Sequence, residues 1–408
     1  MMDVALFFVG ISIILILGFL AEFLFKKLRI PDVLLLLLIG LAIGPYFLGY
    51  VTPESVESIA PVFTTFTLIF LLFDGAFNIS LVSLLKNLAP SMGFTLYNFI
   101  LSSLAITGVL CIIGLPWMLA LLTGFILGGT SSAFVIPIIK QLKVKQRLYS
   151  LLTFESALTD VLCIVSALTM IEIIRLGNVN IQSVLTTLAN IFAVAAGIGI
   201  LGGILWYILS VKVIKQHNYM ITIAYLLLLY VLTEYLGGNG AIAGLFFGLF
   251  LKNSQDLSSI VKSILARSMA GKKMVVNKEL GVAVVNHTEE SFYNQTSFLL
   301  KTFFFVYIGM MIDLSNLKVL FIGIIISVAL LVVRKADYLF TRKMVLRERS
   351  LASSIFARGL AAAAIAQVAL LNQVPQAEFI SGVVYAVIGG TIILSSGSIF
   401  WSYRKLRT

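Results

Sequence analysis

The sequence predicts an all-α integral membrane protein with about thirteen transmembrane helices. Three observations predict it. Apolar residues make up 60% of the 408-residue chain and charged residues only 12%, with a mean hydropathy of +1.06. Apolar runs of the length a helix needs to cross a bilayer, about 20 residues, recur from one end of the chain to the other. The basic residues gather on one side of those runs.

The first run, 3–25, is long enough to span. No small-residue cleavage site follows it, so it reads as a first span and not as a signal peptide. Lys26, Lys27 and Arg29 close it. Spans follow at 32–50 and 57–85, the latter ending at Lys86, and then at 90–113 and 116–139. Lys140, Lys143, Lys145 and Arg147 separate these from the sixth, 148–175. The seventh, 182–211, ends at Lys212 and Lys215, and the eighth and ninth are 218–236 and a short, incomplete 239–252. The long segment 253–291, with Lys272-Lys273 and Glu289-Glu290, reads as a solvated cytoplasmic linker. Spans at 292–313 and 316–334 precede a basic stretch, 335–349. Spans at 350–372 and 377–402 precede Arg404, Lys405 and Arg407. No appended ligand-binding domain is expected after them.

Of the 29 Lys and Arg residues, Arg175 and Lys318 stand on the opposite side and Lys301 and Arg358 lie within spans; the rest share one side. Cytoplasmic loops carry the excess of Lys and Arg, so the N-terminus is placed outside and the C-terminus in the cytoplasm, with an odd number of spans. The net charge of +11 then reflects topology and attraction to anionic headgroups of the lipid bilayer, not nucleic-acid binding. Cys111 and Cys163 fall within apolar runs and read as buried small hydrophobes. A disulfide framework or zinc site is unsupported.

Two carboxylates in the sixth span carry the functional reading. Glu155 and Asp160 lie inside an apolar run, where a charged side chain costs roughly 2.5 to 3.5 kcal/mol on insertion scales, and such residues mark ion and proton paths. Counting 1.5 Å per residue from the cytoplasmic ends puts Glu155 roughly 12 Å deep, Arg358 roughly 13 Å, Lys301 roughly 14 Å, Thr130 roughly 15 Å, Asp74 roughly 18 Å and Asp160 roughly 20 Å. Five spans thus converge on one midplane layer. Arg358 and Glu155 fall at nearly equal depth, and an ion pair between them resolves two buried charges at once. That leaves Asp160 free to bind and release. Ser156 and Asp160, at i and i+4, share a helix face and offer oxygens to a monovalent cation. Asp74 is read either as a packing residue or as a supporting carboxylate. Lys301 is either its counter-ion or a snorkelling base, and Glu234 a residue of the outer mouth.

The fifth span contains Gly128-Gly129-Thr130-Ser131-Ser132 and the twelfth Arg358-Gly359 at mid-depth. Such backbone is tolerated there only where it is buried or lines a cavity. The two spans are seven apart and run in opposite directions, the arrangement of inverted repeats whose broken helices mark a transporter's binding site. Unwound carbonyls near Thr130 would add oxygen ligands to those of Asp160 and Ser156.

These residues resemble a known family. Glu155-Ser156-Ala157-Leu158-Thr159-Asp160 resembles the Glu-Ser-x-x-Asn-Asp signature of monovalent cation:proton antiporters, in the sodium/proton exchanger branch. Arg358-Gly359 is similar to that branch's Arg-Gly, Gly129-Thr130-Ser131-Ser132 to its crossover-helix motif, and Phe303 to Met310 to its Phe-Phe-x-x-x-Gly helix. The resemblance implies two discontinuous crossing helices. It implies a core domain, roughly 57–175 and 292–372 here, that moves like an elevator against a dimerisation domain, and a homodimer. It implies that cation and proton compete for Asp160 and that Glu155 pairs with Arg358. Thr159 departs from the pattern, since exchangers carry Asn there and electrogenic members Asp. Without a second carboxylate, 1:1 electroneutral exchange is expected.

The leading expectation is therefore a secondary antiporter of the cell membrane exchanging Na+ or K+, or Li+, for H+. Asp160, Ser156, Thr130, Thr159 and Asp74 are its cation and proton residues. No enzyme chemistry and no cofactor are implied. The alternatives are a K+ efflux channel on the same fold and an organic-anion transporter using Arg358 or Lys301; Glu155 argues against the latter.

Overall fold

The computed structural model describes residues 12–21, 23–24, 31–49, 60–76, 81–142, 144–176, 181–210, 219–254, 287–336 and 345–405. The described residues are helical and contain no strand. Five helices are long and apolar enough to cross a membrane, and eight shorter apolar helices accompany them. The expected linker 253–291 lies almost wholly outside the described residues.

In chain order the helices are α1 (Ser12–Ala21), α2 (Asp32–Ile43), α3 (Ala60–Ala76), α4 (Leu81–Ile112), α5 (Trp117–Ile126), α6 (Ser132–Gln141), α7 (Gln146–Leu176) and α8 (Ile181–Leu209). They continue with α9 (Tyr219–Tyr235), α10 (Gly240–Lys252), α11 (His287–Met311), α12 (Leu317–Lys335), α13 (Leu346–Ser354), α14 (Leu360–Leu371) and α15 (Ala377–Lys405). Several bounds differ from the sequence expectation. The second span stops at Ile43: Pro45 has no N–H to continue the helix, and the Gly44 N–H closes it on the Gly40 carbonyl at 3.0 Å. The third stops at Ala76, and Leu81 already belongs to the next helix. The fifth and twelfth are each interrupted, at 127–131 and at 355–359.

The chain divides into two compact units. The first comprises Met1–Phe66, Ala89–Val179 and Phe298–Thr408. Within it α12 lies along α15. The approach is close enough that a Cβ on Gly390 would stand 2.5 Å from the Ser327 hydroxyl, as small residues permit between apolar helices. The other face of α12 exposes Phe321, Ile324, Val328 and Val332 at helical spacing, an apolar stripe suited to lipid. Buried Asp32 opens α2 and pairs with Lys301 of α11 at 2.6 Å. Cys163 is buried as expected, but Cys111 is exposed, on an apolar helix whose outer face also shows Leu104 and Ile112.

The second unit comprises Thr67–Leu88 and Asn180–Ser297. Here α10 lies along α8 and α9, and aromatic rings fill the interior. Phe73 stacks on Phe247 at 5.6 Å and meets Tyr293 edge-on at 5.3 Å, and Trp206 contacts Tyr225 at 4.8 Å. Glu234 accepts the Gly240 N–H at 2.8 Å, and Asn239 accepts that of Ile242 at 3.0 Å. Both satisfy donors that the start of α10 leaves unpaired.

Candidate functional site

The site is built in the first unit, where α7 packs against both halves of the first interrupted span and against α14. The two interruptions meet: the Ser131 N–H donates to the Ala357 carbonyl at 2.9 Å. The first lies flat on α7. A Cβ on Gly129 would fall 2.7 Å from Cys163 Sγ and 2.9 Å from Thr159 Cβ, so no larger residue fits without moving the break. Thr159 holds it there. Its hydroxyl accepts the Thr130 N–H at 3.1 Å and donates to its own helix at Ser156 O, 3.2 Å away. The Thr130 and Thr159 hydroxyls lie 3.5 Å apart.

One residue further, Asp160 Oδ2 accepts the Ser132 hydroxyl at 2.5 Å and the Ser132 N–H at 3.4 Å. Ser132 is the first residue of α6. The carboxylate therefore faces the N-terminus of a half-helix, whose unpaired N–H groups and dipole favour an anion. Asp160 is half-buried, whereas Glu155, Ser156 and Thr159 are fully buried. The Ser156 hydroxyl turns back to Thr153 O at 3.1 Å.

The expected pairing of Glu155 with Arg358 is corrected. Glu155 is held by Arg334, whose Nη1 donates to Oε1 and whose Nη2 donates to Oε2 at 2.8 Å. Asn98 adds a third donor at 3.1 Å. Arg334 is itself fixed by Nε on the Ala352 carbonyl at 3.0 Å and by the Phe94 ring, 5.5 Å from Cζ. Arg358 instead donates to the Gly129 carbonyl and to Ser102 Oγ, the latter at 3.0 Å. The physical reason lies in the break. Ending α5 at Ile126 strips the following carbonyls of helical donors, and a guanidinium in a second break can supply them. A small cavity lies here, lined by polar Asn98, Ser102, Glu155, Arg334 and Arg358 and by apolar Leu330, Val333 and Phe356.

Two further expectations fall differently. Lys301 pairs with Asp32, not Asp74. Asp74 belongs to the second unit, where it accepts the Ser297 hydroxyl at 2.6 Å. The sequence reading set Ser132 in the broken fifth span without making it a partner of Asp160, and it missed Arg334, Asn98, Ser102 and Asp32. Asn98 and Ser102 did carry a signal, two polar residues at i and i+4 in an apolar run. Arg334 carried none, standing at the edge of a basic stretch.

Comparison with known proteins shows the family. The Na+/H+ antiporter 1 of Methanocaldococcus jannaschii is 29% identical over 337 residues, covering 78% of this chain and 71% of that one. The K+/H+ antiporter NhaP2 of Shewanella oneidensis is 28% identical over 236 residues, covering 56% of this chain. That match spans only 40% of the relative's own length. The solved structure of the sodium proton antiporter MjNhaP1 from Methanocaldococcus jannaschii at pH 8 shares the fold, with a TM-score of 0.76 at 23% identity over 98% of this chain and 97% of that one. The family model described as sodium/hydrogen exchanger, transmembrane, matches residues 11–405, and the chain belongs to that sodium/hydrogen exchanger family.

Proposed function

We propose that this protein is a secondary antiporter exchanging a monovalent cation, Na+ or K+, for H+ across the cell membrane, with Asp160 binding cation and proton in turn. The observation that carries this is the contrast between two carboxylates on one helix. Glu155 has both oxygens on Arg334. Asp160 accepts only the hydroxyl and N–H of Ser132, with no cationic partner among the described residues. A carboxylate without a fixed counter-ion at membrane depth is a site for a mobile one.

Hard cations take oxygen ligands, and the surroundings of Asp160 offer them. The hydroxyls of Thr130, Ser156 and Thr159 and the carbonyls freed by the break at 127–131 are the candidate ligands. Protonating Asp160 removes its charge and releases the cation. With Thr159 in place of an acidic residue, one proton leaves for each cation bound and the exchange is electroneutral. Alternating access is elevator-type, carried by core helices within roughly 57–175 and 292–372, in a homodimer. The N-terminus lies outside and the C-terminus in the cytoplasm. The Na+/H+ and K+/H+ antiporters among the relatives support the choice of ions.

Reconstitution tests this reading against a channel on the same fold. In proteoliposomes loaded with a pH-sensitive dye, an imposed Na+ or K+ gradient should drive protons the opposite way. Cation flux with no proton movement would contradict antiport and favour a channel.

A further inference from the structure

The two interruptions differ in how their backbone is satisfied. The first carries its own hydroxyls, Thr130 and Ser131. The second, Ile355-Phe356-Ala357-Arg358-Gly359, has none, and Gly359 caps α14 without a side-chain bond. The hydroxyls come from α15. Thr391 Oγ1 accepts the Arg358 N–H at 3.1 Å and donates to Val387 O, one turn back, at 2.7 Å. Ser395 Oγ accepts the Phe356 N–H at 3.4 Å and donates at 2.6 Å to the carbonyl of Ser354, the last residue of α13.

The spacing explains why a helix can do this. Residues four apart on a helix rise about 6 Å. Residues two apart in an extended segment advance about 6.6 Å and point their N–H groups the same way. Ile355 is extended, with φ −102° and ψ 99°. Thr391 and Ser395 thus match Arg358 and Phe356 in antiparallel order. The same seam continues toward the end of α15, where Ser398 donates to Ser354 Oγ at 2.9 Å and Ser350 donates to Ser402 Oγ at 2.9 Å.

We infer that Thr391 and Ser395 are positioning residues that hold the second interruption extended and so set the geometry at Asp160. The connection runs through named bonds. Thr391 fixes the Arg358 backbone, and the Arg358 side chain fixes Gly129 O. The neighbouring Ala357 carbonyl fixes the Ser131 N–H, and the next residue, Ser132, holds the Asp160 carboxylate. The inference rests on the antiport reading for its transport consequence but not for its structural one.

The test uses Thr391→Val and Ser395→Ala, which remove the hydroxyls, with Thr391→Ser as the conservative control. Hydrogen exchange by mass spectrometry on the full chain in detergent should show the amides of Phe356 and Arg358 exchanging about two- to tenfold faster in the first two variants, the range that loss of one buried hydrogen bond predicts. In proteoliposomes the same variants should raise the KM for the driving cation and shift the pH profile of exchange, while Thr391→Ser restores both. Unchanged amide protection would overturn the inference. So would faster exchange with KM and pH profile untouched, since the hydroxyls would then serve packing alone. If the wild-type protein moves no protons while the variants still show the faster amide exchange, the antiport reading falls and the structural role of the two hydroxyls stands.

Discussion

Glu155 and Asp160 are five residues apart on one helix and have different partners, Arg334 for the first and Ser132 for the second. Arg334 meets Glu155 with a two-pronged contact, and both are fully buried. Removing one partner of such a pair strands the other charge, at a cost of roughly 3 to 5 kcal/mol. Arg334→Leu and Glu155→Leu should each lower the melting temperature in detergent, and the double variant should recover part of the loss. The same cycle between Glu155 and Arg358 should come out nearly additive. A large coupling there and none with Arg334 would reverse the assignment. Counting depth along each helix gave Arg358 as the partner because depth fixes height and says nothing of which way a side chain faces. Arg334 was hidden at the edge of the basic stretch 335–349, where every charge reads as cytoplasmic. Asp32 was hidden in the same way, beside Pro31 at the edge of its span, although Lys301 reaches it at 2.6 Å. Lys301→Ala should strand Asp32 and destabilise the first unit, and Asp32→Asn in the same background should relieve it. A melting temperature indifferent to Lys301 would count against the pair.

The interruptions are the elements that turn a helical bundle into a site, and they were the most legible part of the sequence. Gly128-Gly129-Thr130-Ser131 and Arg358-Gly359 stand out in apolar spans because glycine and short hydroxyls weaken a helix. The helices do stop there, at Ile126 and at Ser354. What could not be read was the partner of each orphaned backbone group. Ser131 reaches Ala357, more than two hundred residues along the chain, and Thr391 and Ser395 looked like ordinary polar residues of a last span. Ends were also misjudged where turn chemistry overrode hydropathy, as at Gly44-Pro45. The fit of the first break against α7 yields a prediction. A methyl at Gly129 would overlap Cys163 and Thr159, and overpacking of this kind costs about 1 to 3 kcal/mol. Gly129→Ala should lower both stability and exchange, and trimming Cys163 to Ala in the same chain should restore part of each. Wild-type behaviour of Gly129→Ala would show that the break is looser than its contacts indicate.

For the whole molecule, the fold matches a solved antiporter over nearly its full length, and within the first unit Asp160 accepts from Ser132 with no cationic partner among the described residues. On the proposed reading one carboxylate exchanges one proton for one monovalent cation, and no net charge moves. Clamping the vesicle potential with valinomycin and K+ should leave the rate of Na+/H+ exchange unchanged. A clear dependence on potential would bring a second titrating group, with Lys301 the first to examine, into the cycle. The central claim is that proton and cation share Asp160, and the most direct measurement is cation-driven proton flux in proteoliposomes containing Asp160→Asn. Asparagine keeps the size and an acceptor for Ser132 but holds no charge. The account predicts a folded protein, with a melting temperature near that of the wild type, that moves no protons in response to a Na+ or K+ gradient. Proton flux at the wild-type rate from that variant would contradict it.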